Sequence, residues 1–146
     1  MARSYASTVI AAPGDEVWAR IRDFNGLADW LGGLVAESEI EEGKAGDQVA
    51  AVRSFKLGDG THFRERLLGH SDLERSYTYN FEKTPFDVDN YVTTIRVTPV
   101  TDGNQSFVEW WTTFDCDRDQ IGHWEAFFAN EIFQGGFDAL KAHFAG

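Results

Sequence analysis

An α+β fold is predicted for this chain: a curved antiparallel sheet of seven strands wrapped around a long C-terminal helix, with two short helices closing one end. Three observations predict it. From about residue 34 to residue 115, strand-like stretches alternate with turns short enough for antiparallel hairpins. From Arg118 onward the apolar spacing is helical instead of alternating. Between the first strand and that series lie two short segments that carry helix-start signals.

The first strand is "SYASTVIA" (4–11), β-branched and alternating. Pro13 then stands where a helix can begin, and Val17, Trp18 and Ile21 form a short apolar stripe through "GDEVWARIRDF". Asn25 is placed to cap a second short helix, "GLADWL", which the glycine pair at 32–33 ends. A strand over 34–41 follows, and then strands over 47–57, 62–70, 75–83, 88–99 and 105–115. The turns between the last five are "GDG", "SDLE", "TPFD" and "TDGN". In the final segment Ile121, Trp124, Phe128, Ile132 and the pair Gly135–Gly136 fall on one side, and Phe133, Phe137, Leu140 and Phe144 continue on another. Such a helix presents apolar surface broadly and must lie across something.

At 146 residues the chain suits a single domain, 1–146. One cysteine, Cys116, leaves no disulfide framework or cysteine-rich zinc site. The formal charge of −11, with 24 acidic against 13 basic residues, works against nucleic acid and anionic lipid, both of which need Lys and Arg to neutralise phosphate. The first residues, "MARSYASTVIAAP", lack the continuous apolar core of a signal peptide. No apolar run approaches the roughly 18–20 residues that span a bilayer, so a cytoplasmic protein with no membrane partner is the expectation. Aromatic residues, at 14 % with five Trp and twelve Phe, exceed what a small core needs and point to an aromatic-lined cavity.

The strand period says which polar groups share that cavity. In 47–57, Val49, Ala51, Arg53 and Phe55 fall on one face; in 62–70, Phe63, Glu65 and Leu67 do. A three-residue "GDG" loop places Leu57 opposite Thr61, hence Phe55 opposite Phe63 and Arg53 opposite Glu65. Glu65 thus gains the cationic neighbour that a buried carboxylate demands. Short turns next set Tyr79 beside Glu65 and Thr93 near Tyr79, with Tyr77 and Phe81 on the first face and Tyr91 on the second. In the last strand Phe107, Glu109, Trp111 and Thr113 are taken to face inward, since only one of the adjacent Trp110 and Trp111 can do so.

Over essentially its whole length the chain resembles the START/Bet v 1-like helix-grip superfamily (SRPBCC), and within it the polyketide cyclase/dehydrase-like branch. The resemblance is carried by "ASTVIAAPGDEVWARIRDFNGLADW", "AGDQVAAVRSFKLGDGTHFRERLL", "RSYTYNF", "NYVTTIRVTPV", "FVEWWTTFDCD" and "GGFDALKAHF" in that order. It implies a deep pocket between sheet and C-terminal helix for a small hydrophobic, largely apolar or aromatic molecule. It also implies ligand contact at Glu65, Tyr91, Thr93 and Glu109, with Phe128, Ile132 and Gly136 on the helix side. Many cyclase-like relatives carry a His-Pro pair after the tryptophan matching Trp30, whereas "WLGGL" follows here.

Glu65 and Glu109 in an apolar cavity would have raised pKa values, as proton transfer at neutral pH requires, while Arg53 favours the charged form of Glu65. Tyr79 or Tyr91 could donate to a developing enolate or phenolate. The set Glu65, Glu109, Tyr91 and Arg53 therefore suits a cyclase, dehydratase or lyase acting on a polyketide-like or aromatic substrate without a cofactor. Trp30, Phe55, Phe63, Tyr79, Phe81, Thr93, Trp111, Thr113, Phe128, Ile132 and Gly136 would line the site. The same residues also fit a non-catalytic carrier, or a buried ion pair that only helps define the fold. Oligomeric state is left at monomer or homodimer. His62, His70, His123 and His143 show no metal-ligand spacing, and there is no GxSxG, GxxxxGK[ST] or strand-linked GxGxxG. His62 and His70 fall on the outward strand parity, and Glu131, on the Trp124 and Phe128 side of the helix, is expected in a helix-edge salt bridge, with a third cavity acid as the alternative.

Overall fold

The computed structural model describes residues 1–31 and 34–145. Strand β1 (Ala2–Ile10) leads into α1 (Gly14–Ile21) and α2 (Leu27–Trp30), followed by β2 (Val35–Ile40), β3 (Val52–Leu57), β4 (His62–Ser71), β5 (Ser76–Lys83), β6 (Asp89–Val100) and β7 (Gln105–Asp115). The chain ends in one continuous helical segment: α3 (Ile121–Phe127), a π-helical turn (Phe128–Phe133) and α4 (Gln134–Ala145). The strands form one antiparallel sheet in the order β1-β7-β6-β5-β4-β3-β2. The sheet curves around the C-terminal helix, which is the helix-grip arrangement expected from the sequence.

Helix α1 begins at Gly14 behind Pro13, whose φ of −61° suits a helix entry. Asp15 and Glu16 in its first turn match the positive end of the helix dipole. Its buried side is Val17, Trp18 and Ile21. Asn25 does not cap α2: Gly26 occupies that position, and Asn25 Oδ1 instead accepts a hydrogen bond from Ser38 Oγ at 2.8 Å, tying the helix entry to β2. The expected helix stop at 32–33 lies outside the described residues.

The π-helical turn accounts for the two apolar stripes of the last helix. Ile121, Trp124 and Phe128 recur at α-helical spacing, as do Phe133, Phe137, Leu140 and Phe144, but the step from Phe128 to Phe133 is one residue too long for an α-helix. One π turn absorbs that step, so Phe128, Phe133, Phe137 and Leu140 are all fully buried against the sheet. Gly136 makes the contact close: a Cβ there would lie 2.6 Å from Cζ3 of Trp110.

Three departures from the expected register have local causes. Strand β3 starts at Val52, not 47, because Ala50 turns with a φ of 78°, and Val49 is consequently exposed. A β-bulge between Leu67 and Gly69 shifts β4 against β5, so Tyr79 stands opposite Leu67, and Phe81 opposite Glu65. Beyond the bulge the parity of β4 reverses: His70 pairs with the buried Tyr77, leaving its side chain 8 % exposed instead of on the surface. Strand β7 is the third case. The four-residue "TDGN" loop pairs Val100 with Gln105, so Ile95 faces Trp110 and Thr93 faces Thr112. Ser106, Val108, Trp110, Thr112 and Phe114 are therefore the buried set, and Phe107, Glu109, Trp111 and Thr113 lie on the outer face.

Candidate functional site

The β3–β4 hairpin places Arg53 opposite Glu65 and Phe55 opposite Phe63. The turn between them uses Gly60 at a φ of +87°, a conformation that disfavours other residues. Arg53 Nε donates to Glu65 Oε1 at 2.8 Å, and Nη2 lies 2.7 Å from the same oxygen; the two side chains are only 2 % and 6 % exposed. Arg53 Nη1 donates to the backbone carbonyl of Phe24 at 3.1 Å and, more weakly, to the Tyr77 hydroxyl at 3.4 Å. The guanidinium also sits 4.0 Å from the ring centre of Phe24 and 4.7 Å from that of Tyr79. The cation thus meets a carboxylate, a carbonyl, a hydroxyl and two aromatic rings.

Both contacts from Arg53 converge on Oε1 of Glu65, so among the described residues Oε2 accepts no hydrogen bond. Glu65 lines a cavity of about 500 Å³ between the sheet and the C-terminal helix. Burial pushes the Glu65 carboxyl above the ordinary glutamate value, with the Arg53 charge and hydrogen bond working in the opposite direction. Burial also opposes the charge of Arg53, but Glu65 and the hydroxyls of Tyr77 and Tyr79 together hold its pKa above the ordinary range. Tyr79 and Tyr91 are pushed up by burial, so both remain neutral phenols able to donate. Trp110 Nε1 donates to the Tyr79 hydroxyl at 3.1 Å, which fixes that ring beside the ion pair.

Stacked aromatic pairs supply most of the remaining lining. Phe55 lies on Phe63 at 5.0 Å and 10°, and Phe81 on Tyr91 at 4.1 Å and 19°. With Arg53, Glu65, Tyr79, Ile132 and Gly136, these four line the cavity at positions read from the sequence. Trp30, Thr93 and Phe128 are buried but lie behind the lining. Glu109, Trp111 and Thr113 are corrected: the odd-to-even pairing set by the "TDGN" loop turns them outward, where Glu109 Oε2 accepts a hydrogen bond from the exposed Tyr5 hydroxyl at 2.7 Å. The cavity accordingly holds one interior carboxylate where two were expected.

Several lining residues were missed. Trp110 replaces Trp111 through the same parity change, and Phe86 reaches in from the β5–β6 turn, where an aromatic residue within "TPFD" was the available signal. Leu27 and Leu31 come from α2 and its exit, and Asp59 from the β3–β4 loop. Glu131 was not among them: it makes no helix-edge ion pair among the described residues and lines the cavity, the alternative its helix side allowed. Among those residues no group of three or more His, Cys, Asp or Glu side chains is arranged to hold a metal ion, and no helix is long and apolar enough to cross a membrane.

Residues 1–145 match a family described as polyketide cyclase / dehydrase and lipid transport. The protein XoxI from Bacillus cereus is 36 % identical over 99 % of this chain and 96 % of its own, with a TM-score of 0.86. A protein from Bacillus thuringiensis is 35 % identical over 99 % of this chain and 100 % of its own, with a TM-score of 0.81. Norcoclaurine synthase from Thalictrum flavum, in complex with dopamine and hydroxybenzaldehyde, superimposes with a TM-score of 0.76 over 96 % of this chain and 84 % of its own. At 17 % identity, that likeness concerns the fold alone. No curated protein matches the chain.

Proposed function

The chain belongs to the polyketide cyclase / dehydrase and lipid transport family, which supports a ligand-binding or catalytic role, and on that premise we propose that residues 1–146 act as one ligand-cavity domain that exchanges a proton with a small, largely apolar, aromatic or polyketide-like molecule. The observation that carries this reading is the buried Glu65, which lines the cavity with Oε1 occupied by Arg53 and, among the described residues, no hydrogen bond to Oε2. Dehydration, aldol-type ring closure and retro-aldol cleavage each require a group that removes a proton at one step and returns one at another. A single carboxyl can serve both steps, and its burial-raised pKa makes it a better base than an exposed glutamate. Tyr91 and Tyr79, held as neutral phenols, are placed to donate to the oxygen on which charge develops. Arg53 keeps the carboxyl oriented and limits the cost of ionising it.

A second reading, passive carriage of such a molecule, is favoured by one specific observation. Glu109, the other carboxyl expected inside, lies on the outer face, so among the described residues Glu65 is the one buried carboxyl of the cavity and its other two, Asp59 and Glu131, are exposed. One experiment separates the two readings. Aromatic and polyketide-like compounds are screened by thermal shift, and each compound that stabilises the protein is analysed by mass after incubation with wild type and with Glu65→Gln. Proton-transfer chemistry predicts a product with wild type, its loss in Glu65→Gln and retained binding. A ligand recovered unchanged from wild type, or turnover undiminished by Glu65→Gln, refutes the catalytic reading.

A further inference from the structure

The charges around the cavity say which ligands it accepts. Resting on the reading of this cavity as a ligand site, we propose that it takes uncharged or cationic molecules, carrying a hydroxyl, carbonyl or amine, and rejects carboxylates and phosphates. Four charged side chains line it: Arg53 and Glu65 inside, Asp59 on the β3–β4 loop and Glu131 on the π turn. The inner two neutralise one another, which among the described residues leaves two unneutralised negative charges and no free cation in the lining. Asp59 is held below its ordinary value by hydrogen bonds from the Thr61 side chain and then from the Thr61 backbone N–H, the latter at 2.9 Å.

Arg53 offers no uncompensated charge to an anionic ligand. Its charge is compensated by Glu65 through Nε and Nη2, and its Nη1 is held by the Phe24 carbonyl and the Tyr77 hydroxyl, so at most one N–H of Nη2 is left for a ligand. A ligand carboxylate approaching it would meet the unpaired Oε2 of Glu65, a like charge in a poorly solvated setting. An ammonium group would find that same oxygen as an acceptor. A neutral hydroxyl would find the acceptor without losing the hydration of a full charge. The whole-chain charge of −11 adds to the same bias at longer range.

The test uses three matched bicyclic probes, naphthylmethanol, naphthylmethylamine and naphthoate, titrated calorimetrically into the full chain at neutral pH and low salt. Naphthylmethylamine should bind roughly tenfold or more tightly than naphthoate, as the two unneutralised carboxylates of the lining imply. Raising the salt should shrink that ratio, because the entrance carboxylates are solvent-exposed. The double variant Asp59→Asn/Glu131→Gln should reduce it by several-fold. Naphthoate binding as tightly as the amine, or a ratio unmoved by both salt and the double variant, overturns the charge rule while the cavity reading stands. Failure of all three probes to bind overturns the cavity reading and the rule together.

Discussion

Replacing Arg53 by Met removes the counter-charge of a carboxylate whose side chain is 6 % exposed. Taking away one partner of a buried ion pair costs about 3–5 kcal/mol, because the other charge is left without compensation. Met restores most of the buried stem but not the hydrogen bond to the Phe24 carbonyl or the contact with its ring at 4.0 Å. That loss is a large part of the roughly 5–15 kcal/mol typical of a folded domain, and at this chain length it lowers Tm by about 10 °C. The deficit must depend on pH. In the variant, burial acts unopposed and raises the Glu65 pKa further above its ordinary 4.5. A raised carboxyl pKa contributes stability that is fully present below the unfolded value and is lost as pH rises through the folded one. The variant is therefore closest to wild type near the ordinary value and falls away above it, by at most about 1.4 kcal/mol per pH unit. Urea unfolding followed by tryptophan fluorescence at about pH 5 and about pH 8 measures both effects. A deficit under about 1 kcal/mol at the higher pH, or one equal at both, refutes the reasoning. The double variant Arg53→Met/Glu65→Leu, which leaves no buried charge, should recover to within about 1 kcal/mol of wild type.

Adjacent glycines in the last helix should respond oppositely. Gly135→Ala meets nothing within 4 Å and should stabilise by about 0.5–1 kcal/mol through helix propensity, whereas Gly136→Ala forces a methyl against Trp110 and should cost about 1–3 kcal/mol; thermal melts distinguish them by sign. Glu109→Gln should leave ligand turnover and binding as in wild type and change stability by less than about 0.5 kcal/mol, since its contact with Tyr5 is exposed. Asp72, held well below the usual carboxylate range first by Arg22 and then by Trp18 Nε1, contributes stability that is present above its ordinary value of 3.8 and lost as pH falls below it. Asp72→Asn should accordingly flatten the acid limb of the stability profile, seen by comparing urea midpoints at neutral and acidic pH.

Strand existence and order were legible in the sequence because each strand alternates and each turn carries Gly, Asp, Asn or Pro. The Arg53–Glu65 contact followed from loop length alone: one three-residue turn fixes the pairing of both strands. Strand β7 resisted the same approach because both of its faces carry aromatics, Trp110 on one and Phe107 with Trp111 on the other, so apolar content does not choose between them. Only the pairing across "TDGN" decides, and that is set by a loop whose four residues leave an odd number paired with an even one. The bulge near Leu68 was invisible for a related reason: an extra residue in a strand leaves no mark in composition, yet it moves His70 from one face to the other. At the site, the lining contributed by β3 to β6 was readable, whereas Trp110 of β7 and the part supplied by loops and turns, such as Asp59 and Phe86, were not.

The π turn amounts to a one-residue insertion that the fold has absorbed without losing its buried stripe. In an uninterrupted α-helix, the residue four after Phe128 would be the next to enter the core, and that residue is Ile132. The extra residue sends Phe133 inward in its place and leaves Glu131 and Ile132 for the cavity. Helix length in this segment is therefore a dial on pocket chemistry: a relative shorter by one residue here would keep its core phenylalanines in place while presenting different side chains to the ligand.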